Sequence, residues 1–474
     1  MQPFPNPTVF MAKFTYFLLS ALLIGPLSAR AQDTLKVSLS TVMTQSVQIS
    51  PEIRAKNAKT DFAEARFSLA RASRFLTDFT ATSAHSTAPG LSNPNNTEGS
   101  KLYLDPDVRN DWENVSMFNR IEFSAIQPLL TWGEIGRSID AAEAGVKVEE
   151  AAANETTSQV AERAAGLYFG LKYAEALASL TTEAGDIVQR ALKEINRMID
   201  EGDAGVDDAD LFQVKITEQE FLQRVVEVEE SRKTARSALS RMMFLPDGQT
   251  VGLESKVLDP VDIALESLES FQAKALAFRP ELARVSAGID ARAALVDVAR
   301  SNLYPKLFLG ITGRWSYAPG RERQPNPYVS DQLLSRKLEA GFGFRQNLNF
   351  GQTRAKIAQA KAESDEVNFQ ADAARQLVLF EVEEAFRNVI VARSAMEARE
   401  QGLQISKDWL RLEEVNFDLE VGDTENLVKA VKENLSLRAA RQEAVYKYNV
   451  AIIKLLSKSG VLLQTLEAGT LVGL

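Results

Sequence analysis

The chain lacks cysteine altogether, and it has one histidine, His85, among its 474 residues. Without cysteine there is no disulfide, thiolate-bound metal, thiol nucleophile or lipid-bearing N-terminal cysteine. A nucleophile–base set, a metal-ligand cluster and a phosphate-binding loop are missing as well. The formal net charge of −10 argues against a nucleic-acid partner. We therefore predict that the protein is not an enzyme and needs neither a metal nor a cofactor.

Long apolar runs are also missing, apart from one near the N-terminus. The run from Phe14 to Ile24 follows the basic Lys13 and precedes Ala29-Arg30-Ala31, which has the small-x-small pattern of a cleavage site. This arrangement is typical of a secretory signal peptide, here residues 1–31. A transmembrane anchor is the alternative, but the run is shorter than the roughly twenty residues that a helix needs to span a bilayer. We predict that the protein is exported.

Proline is missing from two long windows, from Leu129 to Leu245 and from Tyr328 to the end. Because proline breaks helix interiors, both windows permit very long helices. Glycine-containing turns interrupt them at residues 201–205 and 421–423. Each window therefore predicts a helix of about 70 residues and a return helix of about 35 to 40, and the longer arm would reach about 100 Å. Shorter helices are predicted over residues 37–73 and 264–302.

The two halves of the chain resemble each other. Pro51-Glu52-Ile53 matches Pro280-Glu281-Leu282 at an offset of 229 residues, and Gly133 matches Gly351 at an offset of 218. The missing 11 residues fall between about 80 and 120, where loop-forming residues tolerate a change of length. We infer a tandem duplication, with a chance match of two helix-rich halves as the alternative. The predicted divisions are 1–31 signal peptide, 32–245 first repeat, 246–263 linker or belt, 264–460 second repeat and 461–474 C-terminal tail.

The last predicted helix has apolar residues on two seams. Val431, Val445 and Ile452 belong to one seam, and Ala430, Tyr448 and Leu455 belong to the other. Two seams suit a helix with a neighbour on each side, as in a wall of helices. A long coiled-coil hairpin is the alternative.

Four short segments alternate between apolar and polar residues with a period of two. Such alternation is typical of transmembrane β-hairpins, with a half-buried hairpin of a soluble protein as the alternative. The alternation is weakest in the segment around Leu76 to Ser83. Four strands cannot close a membrane barrel, so the chain must oligomerise, and three copies would supply twelve strands. The predicted lipid-facing residues are Leu307, Leu309, Ile311, Trp315, Tyr317, Leu338, Phe342, Phe344, Ile121 and Phe123.

These features resemble the TolC-like outer membrane efflux protein family over nearly all of the mature chain. The resemblance is carried by residues 275–282 (ALAFRPEL), their fainter copy at 50–53, Tyr304-Pro305, the strand-to-helix corners at 127–133 and 346–351, and the turn from Gly205 to Leu211. It implies a homotrimeric conduit, with a 12-stranded β-barrel in the outer membrane continued by a periplasmic α-helical barrel. It also implies two partners, a periplasmic adaptor and an inner-membrane transporter that supplies the energy.

The predicted helix tips are acidic. Asp203, Asp207, Asp208 and Asp210 lie at the first tip, and Asp423 and Glu425 lie at the second. In a trimer these carboxylates would converge on the entrance and favour cations. The alternative is that they cap helices and keep an exposed turn soluble. The family's own gate aspartates are not carried over, because residues 428–431 are Val-Lys-Ala-Val.

The expected fold is mostly α with a small β portion: long antiparallel coiled-coil hairpins and two β-hairpins per chain, assembled into the trimeric barrel. The expected function is passive efflux of small molecules across the outer membrane, within a tripartite system. Type I polypeptide secretion is one alternative. An exported coiled-coil scaffold or a periplasmic adaptor is another.

Overall fold

A computed structural model describes residues 34–92, 108–201, 208–321, 330–419 and 424–468. The predicted signal peptide and most of the longer first loop lie outside these residues. The helices are α1 (Leu39–Ile49), α2 (Pro51–Ala72), α3 (Glu134–Glu201), α4 (Asp208–Met242), α5 (Leu268–Phe278), α6 (Pro280–Ser301), α7 (Phe350–Asp418), α8 (Thr424–Lys458) and α9 (Leu462–Glu467). The strands are β1 (Thr34–Val37), β2 (Asp78–Ser92), β3 (Arg109–Leu130), β4 (Thr250–Leu253), β5 (Lys306–Tyr317) and β6 (Arg336–Arg345).

The proline-free windows form the long helices that the sequence predicts. α3 and α7 contain 68 and 69 residues, and their return helices α4 and α8 contain 35 residues each. At 1.5 Å per residue the long arms extend about 100 Å. Among the described residues, no helix combines the length and the apolar character needed to cross a bilayer.

Each shorter predicted helix is broken in two by a proline. α1 and α2 meet at Ser50 and Pro51, and α5 and α6 meet at Arg279 and Pro280. Both residues before proline have ψ near 121°, which is outside the helical region. The proline ring disfavours helical backbone at the preceding residue, while proline itself suits the first position of a helix. The repeated Pro-Glu therefore marks the start of an ascending helix in both halves.

The helices form a wall rather than a closed bundle. At the end near the sheet the neighbours run in the order α2, α3, α6, α7, and at the other end they run α4, α3, α8, α7. α8 lies between α3 and α7, as its two apolar seams predict. The long helices α3 and α7 therefore connect both halves of the wall.

Four strands form one antiparallel sheet in the order β2-β3-β5-β6, so β3 and β5 join the two repeats. β2 begins near the predicted segment but runs on to Ser92, well past Ser83. β1 and β4 form a separate two-stranded parallel pair. Among the described residues, the outer strands β2 and β6 each have one unpaired edge.

The largest hydrophobic core lies where the β1–β4 pair packs beside the middle of the long helices. Tyr168 and Phe169 of α3, Val382 of α7 and Ile452 of α8 are almost completely buried there. Burial raises the pKa of the Tyr168 hydroxyl to about 12. This core packs the long helices α3 and α7 against their neighbours near their centres.

A similar hydrogen bond occurs in the two halves of the chain. The side-chain amide of Gln127 donates to the carbonyl of Arg74 at 3.0 Å, and that of Gln346 donates to the carbonyl of Leu303 at 3.2 Å. Leu303 lies 229 positions after Arg74, which is the offset of the Pro-Glu match (303 − 74 = 280 − 51). Both halves therefore use the same contact to bring a descending strand back to the end of the ascending helix.

Candidate functional site

One face of the four-stranded sheet is apolar and exposed. Residues paired across antiparallel strands project to the same side, and the register pairs Leu309 with Phe342 and Leu307 with Phe344. Phe342 and Phe344 are 77% and 78% exposed. The register places all ten predicted lipid-facing residues on this side, the apolar face: Ile121, Phe123, Leu307, Leu309, Ile311, Trp315, Tyr317, Leu338, Phe342 and Phe344.

Glycine allows aromatic rings to lie flat on the sheet. A Cβ atom at Gly313 would lie 2.1 Å from the ring of Phe123, on the apolar face. On the other side, a Cβ atom at Gly343 would lie 2.6 Å from the ring of Phe308. Each ring occupies the space that a side chain would need, so larger residues at these glycines would displace it.

The opposite side of the sheet, the polar face, carries charges. Arg120, Glu122, Arg314, Lys337 and Glu339 project from it, because each alternates with residues of the apolar face. Nε of Arg314 lies 2.7 Å from Oε1 of Glu122, and Nε of Arg120 lies 3.8 Å from the same oxygen. The sheet therefore separates an apolar surface from a charged one.

At the end of the sheet away from the helices, Arg321 ties the two hairpins together. Its side chain is 6% exposed and lies 2.6 Å from Asp331. Nη1 donates to the carbonyls of Pro89 and Gly90 and to the side chain of Asn110, at 2.9, 3.2 and 2.9 Å. Sequence reasoning missed this contact, because the partners are far apart along the chain.

The strand-to-helix corner of the first repeat meets the second repeat. Trp132 and Gly133 both have positive φ, at 55° and 86°, which turns the chain sharply from β3 into α3. The Trp132 indole N–H donates to the carbonyl of Pro305 at 2.7 Å, and its ring lies 5.1 Å from that of Tyr304. Two separate motifs of the predicted family thus lie side by side in the structure.

A charged joint lies beside the second Pro-Glu motif. The Arg279 side chain is 5% exposed and bonds to Glu281 at 2.7 Å and to Glu381 at 2.9 Å. It also donates to the carbonyl of Lys458, whose ammonium lies 3.1 Å from Glu381. Burial raises the pKa of Glu381, but hydrogen bonds from Lys458 and Arg279 outweigh burial and hold that pKa below its usual value. Apart from the Pro-Glu motif itself, no sequence pattern indicated this network.

The wall of helices has apolar residues along both of its edges. On α7, Phe369 and Ile405 are 72% and 70% exposed. They are 36 residues apart, ten turns of helix, so they lie on one side. The buried Val382 and Leu403 lie on the side that faces the rest of the wall. The exposed side, which we call the α7 edge, also carries Phe380, Val391 and Leu412, and the exposed Leu419 follows the end of the helix.

The other side of the wall, the α2–α4 edge, is apolar as well. Phe62 and Leu69 of α2 are 65% and 73% exposed and two helical turns apart. Phe212 and Ile216 of α4 are 61% and 62% exposed. The α2–α4 edge continues into β2, and the α7 edge begins where β6 ends, so each edge of the wall is continuous with an edge strand.

The predicted acidic tips are only partly described. Asp203, Asp207 and Asp423 lie outside the described residues, and Asp208 and Asp210 are known only as backbone in the first turn of α4. Glu425 lies in the first turn of α8, 2.6 Å from the Lys429 ammonium. Whether the tips form a gate stays a prediction. In the described ranges, no three His, Cys, Asp or Glu side chains are grouped as metal ligands.

Known proteins are similar to this chain in part of its sequence and in its fold. Residues 272–453 match the outer membrane efflux protein family. The fold is similar to that of the Campylobacter jejuni CmeC outer membrane channel (15% identity, 90% of this chain and 86% of that one, TM-score 0.69). It is also similar to the open state of the Neisseria gonorrhoeae MtrE channel (16%, 90% and 89%, TM-score 0.69) and to the Vibrio cholerae outer membrane protein VceC (15%, 89% and 96%, TM-score 0.68).

No curated protein sequence is significantly similar to the chain. The solved structures share its fold at low sequence identity, and the family match covers most of the second repeat. The chain is therefore similar to the outer membrane efflux protein family over residues 272–453, and it shares the fold of solved outer membrane channels.

Proposed function

We propose that this protein is a passive, homotrimeric conduit in the outer membrane that carries small molecules out of the cell as the channel of a tripartite system. The observation that carries the proposal is the four-stranded sheet, which has one apolar face and two unpaired edges and continues into a wall of helices. An unpaired strand edge in lipid leaves backbone groups without hydrogen bonds. The sheet is therefore complete only when copies of the chain join edge to edge.

The apolar face is assigned to lipid and the polar face to the barrel lumen. Charged residues on the lipid side of a barrel cost several kcal/mol near the bilayer midplane. Arg120, Glu122 and Arg314 therefore need the aqueous side of a closed barrel. Three chains of four strands give a barrel of twelve, which falls within the range of known bacterial barrels.

The helical wall favours the same ring. The α7 edge of one copy would pack against the α2–α4 edge of the next, and β6 would pair with β2. Such head-to-tail contacts generate a closed ring when the rotation between copies allows it. One type of interface therefore buries both apolar edges and both strand edges. The two repeats of each of three chains would give six similar structural units around one pore.

A passive conduit needs partner proteins that supply the energy for export. The sequence has no phosphate-binding loop, so we propose that transport across the cell envelope depends on an inner-membrane transporter, with a periplasmic adaptor between them. The family description names efflux, and no described feature favours polypeptide secretion. A scaffold or an adaptor would have no need of the apolar face.

We expect Ile405→Asp to weaken the trimer, because it places a carboxylate on the α7 edge. The lost burial should cost about 1.5–3 kcal/mol at each interface. The measurement is native mass in detergent after extraction from the outer-membrane fraction, over a range of protein concentrations. Wild type should be trimeric, and the variant should dissociate at higher concentration.

Asn388→Asp is the matched control for Ile405→Asp. Asn388 is an exposed residue of α7 that lies about 100° around the helix from Ile405. The substitution therefore adds the same charge away from the α7 edge and should leave the trimer intact. A wild-type monomer or dimer recovered from the soluble periplasm would overturn the proposal.

We also propose that the acidic tips favour cations at the periplasmic entrance. Replacing Asp207, Asp208 and Asp210 together by Asn should lower the cation preference of the channel in planar bilayers. The reversal potential in a KCl gradient would move towards zero. The difference should vanish near 1 M salt, where the screening length is about 3 Å. An unchanged reversal potential at low salt would leave only helix capping and solubility for these residues.

A further inference from the structure

The polar face has more positive than negative charge over three adjoining rows of the sheet. One row joins Glu122, Arg314 and Lys337, and the rows beside it contain Arg120 and Glu339. Three cations therefore stand against two carboxylates, a surplus of one positive charge per chain. The acidic tips at the far end of the long helices have the opposite sign.

The register also brings like charges together. Arg314 and Lys337 are directly opposite each other on β5 and β6. Like charges at such positions repel and destabilise a sheet. Lys337 is exposed, and the Arg314 side chain is 46% exposed. A group of opposite charge between them would relieve this repulsion.

Glu122 does not satisfy the two arginines. Nε of Arg120 and Oε1 of Glu122 are buried without a partner in hydrogen-bond geometry, although Oε1 lies 2.7 Å from Nε of Arg314. The Arg120 guanidinium also lies over the ring of Phe118, 5.2 Å from its centre. The Nε–H of Arg120 therefore has no acceptor fixed by the fold, while the side chains of Arg314 and Lys337 are exposed on the polar face.

We propose that Arg120, Arg314 and Lys337 form an anion-binding band that takes organic carboxylates and sulfonates on their way through the barrel. This proposal rests on the proposed function, because the polar face is a lumen only in a closed barrel. Guanidinium groups match the paired oxygens of carboxylates and sulfonates, and the field of a confined basic wall raises the local anion concentration. Glu122 acts as the internal counter-ion that an entering anion displaces.

The test is block of single-channel current in planar bilayers by benzenesulfonate. Phenyltrimethylammonium, which has the same ring and the opposite charge, is the comparison. We expect benzenesulfonate to block the wild-type channel from the outer side, and the ammonium probe not to block from that side. Arg120→Gln with Arg314→Gln should raise the half-blocking concentration about tenfold or more, the value of one or two charged hydrogen bonds.

A second variant keeps the test decisive if the double substitution fails to assemble. Glu122→Gln removes the internal counter-ion, so the half-blocking concentration should fall by about threefold or more. Arg336→Gln removes one positive charge from the apolar side of the same sheet, and its half-blocking concentration should match that of wild type.

The outcomes separate this inference from the proposed function. A conducting trimer whose block is absent, or is the same in the wild type and the Glu122→Gln variant, would overturn the anion band alone. A protein that forms no trimer and no conducting pore would overturn the conduit and the band together.

Discussion

Ile311→Arg is expected to remove the protein from the outer membrane. Ile311 lies at the middle of β5 on the apolar face, opposite Ala125 and Ala340. A charged side chain facing lipid near the midplane costs about 2–4 kcal/mol, and three copies would cost about 6–12 kcal/mol per trimer. We expect the variant to disappear from the outer-membrane fraction and to accumulate as unassembled or degraded protein.

Thr312→Arg is the matched control, one residue further along the same strand. Thr312 lies on the polar face, opposite Ser124 and Glu339. An arginine there would face the lumen beside a carboxylate, so insertion should be close to that of wild type. The assignment of the two faces would be wrong if Ile311→Arg fractionated like wild type, or if Thr312→Arg were the variant that failed.

The second large effect is expected from Arg279→Met at the charged joint. The substitution keeps the volume of the side chain but leaves Glu281 and Glu381 without the guanidinium that they share. Breaking a buried ion pair by removing one partner costs about 3–5 kcal/mol. We expect a clear fall in the thermal unfolding midpoint in detergent at neutral pH.

The first repeat supplies the matched control for this joint. Arg163 stands where the second repeat has Glu381 (381 − 218 = 163), and it pairs with Glu52 at 3.0 Å. Both of those side chains are more than half exposed. Arg163→Met should therefore cost about 1 kcal/mol or less. Equal effects of the two substitutions would contradict the special role of the second joint.

The pH dependence distinguishes the two variants further. The pKa of Glu381 is held below its usual value, so its contribution to stability is present above the pKa of the unfolded chain. That contribution is lost as the pH falls through the lower pKa of the folded chain. Wild type should lose stability in this acid range, whereas Arg279→Met has already lost part of this contribution and should show a shallower decline.

The sequence predicted much of this fold because its signals are local. A proline-free window with good helix formers predicts a long helix wherever it stands, and α3 and α7 confirm it. Alternation along a strand likewise sorts residues between two faces without knowledge of the neighbouring strands. The ten apolar-face residues could therefore be chosen before any register was known.

The sequence predicted other parts less well, for equally physical reasons. The helices over 37–73 and 264–302 are interrupted, because proline at the motif outweighs the helical periodicity around it. β2 is longer than its sequence suggests, because pairing with β3 supports residues that have little strand preference of their own.

The amino-acid sequence by itself determined the length of the helices and the two-sided character of the strands, because each depends on residues close together in the chain. The tertiary structure alone decided which side of α7 stays uncovered, which carboxylates meet Arg279 and which cations stand opposite each other on the polar face. Arg279 and Glu381 are 102 positions apart, and Arg314 and Lys337 lie on different strands. A burial or charge energy exists only once the fold has brought such residues together.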